Sequence, residues 1–276
     1  MTPAAPRSTL VSISIAQVRT HGWLRCIVGG GTMYLSIPSF IVLNLTIVVL
    51  LMQVVLTPVF RLPPVRWADH VFMDRGRIAN LFWLDRLNCQ FCGYANGLCT
   101  MLNTQLDHLA AQKPEQGAQR WAVAAVCAVV TAPLWATFDL YTIRGLYNLV
   151  ISQCLGMQRF SLAQGAALLE RGRYASQHPP AARAVLRLWK NSALALEMCL
   201  EQIESSWCPL RHFETREGIV YPKHHKRFFG ANVIGELREA RNFLQANSGT
   251  VSRRAMEVIP SGLDELPPDV QTKRVH

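Results

Sequence analysis

Not one charged side chain stands between Tyr34 and Pro58, a run reading YLSIPSFIVLNLTIVVLLMQVVLTP. That absence excludes a solvated surface helix. About 20 apolar residues rising about 1.5 Å each cross about 30 Å of hydrocarbon, so the run predicts a transmembrane helix. A cleaved signal sequence would carry an apolar stretch of roughly 7 to 15 residues ending at small residues, and this one is longer. Acidic residues are also scarce, 18 against 28 Lys and Arg, for a net charge of +10. Residues 1–33 hold Arg7, Arg19 and Arg25 and no acid. Such a surplus would suit nucleic acid. In a membrane chain it reads first as cytoplasmic loop charge and contact with anionic headgroups, so membrane lipids are the expected partner and nucleic acid is not.

Catalytic signatures are missing as well. There is no His-Glu-x-x-His string, and Gly29, Gly30 and Gly31 lack the Lys and Ser or Thr that complete a phosphate loop. A metal-bound water working with Glu204 or Glu214 finds no supporting motif, and no nucleophile set can be assigned, so the reading leans away from an enzyme. The three glycines are expected to interrupt regular structure just before the span.

What is present is cysteine, eight in all. Cys26, Cys127, Cys154 and Cys199 stand singly in apolar or helical surroundings, where a thiol acts as a small hydrophobe, and Cys99 reads the same way. Cys89 and Cys92 differ. Two residues separate them and Gly93 follows, the pattern of a metal knuckle in which glycine takes positive φ and backbone amides face the sulfurs. A closed tetrahedral site needs two more ligands, and Cys208-Pro-Leu-Arg-His212 supplies them. The predicted metal ligands are therefore Cys89, Cys92, Cys208 and His212, with zinc as the ion and iron as the rival. A redox dithiol at Cys89 and Cys92 is a further alternative, though a thioredoxin-like dithiol belongs beside a βαβ unit and this chain reads as helical. His224 and His225 are weaker candidate ligands, inside a basic aromatic stretch from Tyr221 to Phe229, and His70 and His108 weaker still.

The second apolar region, Trp121 to Met157, is membrane-like in its first half and carries Arg144, Asn148 and Gln153 in its second. One ion shared by Cys92 and Cys208 requires an even number of crossings between them. Two short helices with a turn near Asp139 would satisfy this, as would a re-entrant segment. The charge count agrees: three crossings put the seven Lys and Arg of residues 59–120 and the seventeen of residues 158–276 on the same, inner side. The chain thus divides into a basic segment (1–33), a transmembrane helix (34–58), a first knuckle segment (59–120), a transmembrane or re-entrant hairpin (121–157), a helical segment with the second knuckle (158–246) and a disordered tail (247–276). The expected class is all-α: a membrane protein with two or three membrane segments and a cytoplasmic helical metal-binding domain, able to present that domain to a protein partner.

Two strings carry a resemblance. AsnCysGlnPheCysGlyTyrAlaAsnGly at 88–97 and TrpCysProLeuArgHis at 207–212 resemble a family of uncharacterised bacterial membrane proteins with an N-C-x-Y-C-G-Y-A-N-G string and a W-C-P-I-K-H string. The resemblance covers about a third of the chain, implies that Cys89, Cys92, Cys208 and His212 act as a unit, places the protein in a bacterial inner membrane and brings no established activity. Here over a hundred residues separate the two strings, as an inserted hairpin would explain. The same strings also resemble the two knuckles of rubredoxin, whose fourth ligand is cysteine. A histidine stands near that place in this chain, one residue later, which sets it apart from rubredoxin-type electron transfer.

Overall fold

A computed structural model describes residues 12–73, 81–112, 117–156, 178–209, 219 and 221–228. Among these the protein is mostly helical, with no strand. Helix α1 is Ile13–His21 and α2 is Trp23–Phe60; α3 is Trp83–Ala110 and α5 is Pro180–Trp207. Between the last two, α4 joins Ala118–Phe138, Asp139–Ile151 and Ser152–Leu155 into one run.

Among the described residues two helices are long and apolar enough to cross a membrane: Trp23–Phe60, 38 residues with an 18-residue stretch at mean hydropathy 2.5, and Gln119–Phe138, 20 residues with such a stretch at 1.8. Both keep large apolar side chains on the outside. Leu45, Leu50 and Val54 on α2, and Val126, Val129 and Val130 on α4, are all more than half exposed. Water would oppose such a surface and lipid would accept it.

Pairwise contacts give the directions of the helices. Tyr34 meets Asn88 and the Phe40 ring meets Phe91, so α2 and α3 run parallel. Phe60 packs on Trp121 at one end while Gly29 meets Leu155 at the other, so α4 runs antiparallel to α2. Helix α5 starts beside the end of α3, where the His178 ring bonds the Ala110 carbonyl, and finishes beside α1 and Gly30. The result is an up-up-down-down bundle, an arrangement that needs two long return connections.

The first return connection follows Arg61. From Leu62 the chain comes back along α3, with His70 Nε2 3.3 Å from the Thr104 hydroxyl. Val71 then crosses Gly97 and Phe72 crosses Gly93. A Cβ on Gly97 would lie 2.5 Å from the His70 carbonyl oxygen and 2.6 Å from Val71 Cα, and one on Gly93 would strike the Phe72 carbonyl. These two glycines, one helical turn apart, form the groove that seats the returning chain.

Three expectations change here. The turn near Asp139 is absent, since Asp139 has φ −60° and ψ −52° and the helix runs through it. Gly29, Gly30 and Gly31 interrupt nothing and lie inside Trp23–Tyr34. Gly29 instead lets Leu155 and Cys154 approach, within 2.8 and 3.0 Å of where a Cβ would stand. The cysteine-bearing helices, finally, form no separate body; α3 and α5 share one core with α2 and α4, including Phe40, Leu98, Ala124 and Trp189. Much of the helical segment expected at 158–246 beyond Pro180–Trp207, and the tail, lie outside the described residues.

Candidate metal centre

At the end of the bundle where α5 finishes, a cavity of about 70 Å³ opens between α1, α2, α3 and α5. Cys89, Cys92 and Cys208 all line it. They reach it from well-separated parts of the sequence because α3 begins where α5 ends. Cys89 and Cys208 are buried and Cys92 is half-buried, and none forms a disulfide.

The local geometry is not a knuckle. Cys89, Cys92 and Gly93 all lie inside Trp83–Ala110, and Gly93 is not among the residues with positive φ. Residues three apart share a helix face, so one helical surface turns both sulfurs toward the cavity. Cys208 follows the last turn of α5 in extended backbone, φ −97° and ψ 120°, with its N–H donated to the Glu204 carbonyl at 2.7 Å. His212 lies outside the described residues, and among the described residues no three His, Cys, Asp or Glu side chains are drawn together as a ready metal shell.

Asp85 and Glu204 line the same cavity with Asn88, Asn96 and Tyr34, and no described lining residue is Lys, Arg or His. Glu204 accepts a 2.6 Å bond from Asn96 Nδ2. Asp85 is 1% exposed and serves as the N-terminal cap of α1: its carboxylate accepts the Ile13 N–H at 2.8 Å, the Ser14 N–H at 3.0 Å and the Ser14 hydroxyl at 2.5 Å. Burial pushes its pKa up, against the downward pull of those bonds. A carboxylate at a helix N-terminus meets unpaired N–H groups and the positive end of the helix dipole, which is why α1 docks there.

The other cysteines are placed for packing. Cys26 and Cys199 are buried in an apolar cluster with Ile151 and Leu155, and Cys99 is fully buried. Burial raises the thiol pKa of both Cys99 and Cys199, which suppresses thiolate chemistry. His70 is spent on the Arg66 carbonyl and Thr104, fastening the return connection to α3.

Sequence reasoning missed a polar seam between α3 and α5. Asn103 donates to Glu197 at 2.6 Å, as Asn96 does to Glu204, and Lys190 Nζ bonds the Asp107 carboxylate at 2.7 Å and the Asn103 carbonyl at 3.0 Å. The signal was available as the seven-residue spacing shared by the two asparagines and the two glutamates. No family model, no curated protein and no solved structure matches this chain.

Proposed function

We propose that the protein is an integral membrane bundle that holds one tetrahedral metal ion, zinc, through Cys89, Cys92, Cys208 and His212, and that the ion has a structural role. The observation that carries this reading is that the three cysteines, from two helices more than a hundred residues apart, line one cavity with acidic and no basic described side chains. Three thiols brought to one cavity can converge on a soft cation, and a Cys3His set suits zinc at about 2.3 Å to sulfur. His212, four residues past Cys208, supplies the fourth bond in this reading. Binding would then tie the ends of α3 and α5 together and contribute to folding, since the ligands must converge and deprotonate.

In this proposal the protein lies in a bacterial inner membrane, with the metal end of the bundle toward the cytoplasm and open to a protein partner. Iron at the same ligands would make it a redox component. A simple dithiol is less well supported, because a thioredoxin-like dithiol belongs beside a βαβ unit and the described residues are helical with no strand.

Elemental analysis of detergent-purified protein, with visible spectra of the same samples, tests the reading. One zinc per chain in the wild type, lost in both Cys89→Ser and Cys208→Ser, supports it. Iron with thiolate absorption moves the function to electron transfer. A reduced wild-type protein without metal overturns the site.

A further inference from the structure

The imidazoles of His21 and His224 do not line the cysteine cavity. His21 is the last residue of α1, and His224 lies in the short helical turn Lys223–Arg227. Their Nε2 atoms are 3.4 Å apart, with ring planes at 83°. The pair is in reach of an N–H···N bond but long for one, beyond the roughly 2.7–3.2 Å usual for N–H donors to oxygen. Two nitrogen ligands on a tetrahedral ion with bonds of about 2.0–2.1 Å stand about 3.3–3.4 Å apart, which is the separation found.

We propose that His21 and His224 chelate a first-row transition-metal ion of the class that prefers imidazole, such as Cu²⁺, Ni²⁺ or Zn²⁺. This second site rests on a different observation from the cysteine cavity and does not depend on it.

The surroundings bear on it in three ways. The turn carrying His224 is fastened to the last turn of α5 by His225, whose Nε2 donates to the Ser206 carbonyl at 2.9 Å. It therefore sits where α1 and α5 both end, and the carbonyl ends of helices favour a cation. Burial lowers the pKa of both imidazoles, helped at His21 by the charge of Arg25 and at His224 by His21, so both are held in the neutral, ligating form. Phe228 braces the turn, its ring 5.3 Å from that of His224 and 4.9 Å from that of His225. Arg25 also repels a bound cation. Among the described residues no third ligand completes the shell, so water fills the open positions and the affinity falls below that of a four-ligand site.

The test uses the full-length protein in detergent, stripped with chelator and titrated with Cu²⁺, both as wild type and with Cys89→Ser and Cys208→Ser combined. The doubly substituted protein should still bind one copper per chain, with nitrogen hyperfine structure from two imidazoles in its electron paramagnetic resonance spectrum. His21→Gln and His224→Gln should each weaken that site by about tenfold or more. Copper binding unchanged in both glutamine variants overturns the proposal. So does a spectrum with fewer than two imidazoles in the unsubstituted protein, a reading that holds even where a variant fails to fold. A reduced wild-type protein that takes up no zinc at the cysteines but retains this copper would sink the first site alone.

Discussion

Asn103 Nδ2 lies 2.6 Å from a Glu197 carboxylate oxygen, and both residues are less than a tenth exposed. A charged acceptor this deep is stable only while donors reach it. Asn103→Ala should therefore destabilise the bundle by about 1–3 kcal/mol, the cost of a buried acceptor left short of a donor. Converting both residues to leucine removes the need and the donor together and should cost much less. Thermal unfolding in detergent of the two single variants and the double variant checks this. Additive losses would mean that the two side chains do not act as a pair.

Gly93 and Gly97 give a prediction opposed to helix propensity. Alanine is favoured over glycine in a helix by about 1 kcal/mol. At these two positions, however, the added methyl meets the backbone of Phe72, or of His70 and Val71, which cannot rotate away. Gly93→Ala and Gly97→Ala should both destabilise, by about 1–3 kcal/mol as in an overpacked core. Gly31→Ala, where nothing stands within 4 Å, should be neutral or stabilising. Equal behaviour of the three variants would mean that the return connection is not seated in the groove.

Asp85 predicts a pH dependence. Its pKa is raised in the fold above the ordinary aspartate value of 3.8, with burial as the main cause. The folded state thus holds the proton more tightly than the unfolded chain. The stability this confers is complete below the ordinary value and is lost as pH rises through the higher folded one. Denaturant unfolding followed from acid to neutral pH should show that decline in the wild type and not in Asp85→Asn. The variant should also be weaker throughout, because an amide nitrogen would face one of the three donors of Ile13 and Ser14. An identical pH profile in the two proteins would remove Asp85 as its source.

Val129 is 74% exposed near the middle of the second apolar helix. If that face meets lipid, Val129→Arg should reduce insertion of the helix by about 2.5–3.5 kcal/mol, read as the inserted fraction in a glycosylation-reporter assay. Val129→Leu should be silent. An arginine tolerated as well as leucine would point the face toward water or protein.

The apolar runs and the helical class were legible because twenty uncharged residues have few other fates. The breaks misled, and for one physical reason. Gly29, Gly30 and Gly31, and Gly93 after Cys92, were read for the backbone freedom of glycine, whereas in this bundle Gly29 and Gly93 are used for their missing side chain, admitting Leu155 and Phe72. Composition does not distinguish the two uses; only the neighbour does. Likewise, the turn near Asp139 was placed there to give two short crossings between Cys92 and Cys208, and no local signal marked it. One continuous helix runs from Ala118 to Leu155, and both cysteines reach the same end because α3 begins where α5 finishes. Asp85 as the cap of α1 had no local signal, since its partners lie more than seventy residues away.

The seam between α3 and α5 also acts as a vernier. Asn96 and Asn103 are seven residues apart, as are Glu197 and Glu204, so sliding one helix by two turns would still match Asn103 with Glu204. The rung beyond is of a different kind: the same slide would carry Lys190 away from Asp107 and strand its ammonium in the interior. Two alike rungs set the pitch of the scale, and the unlike third identifies the zero mark, so that α3 and α5 lock at a single setting.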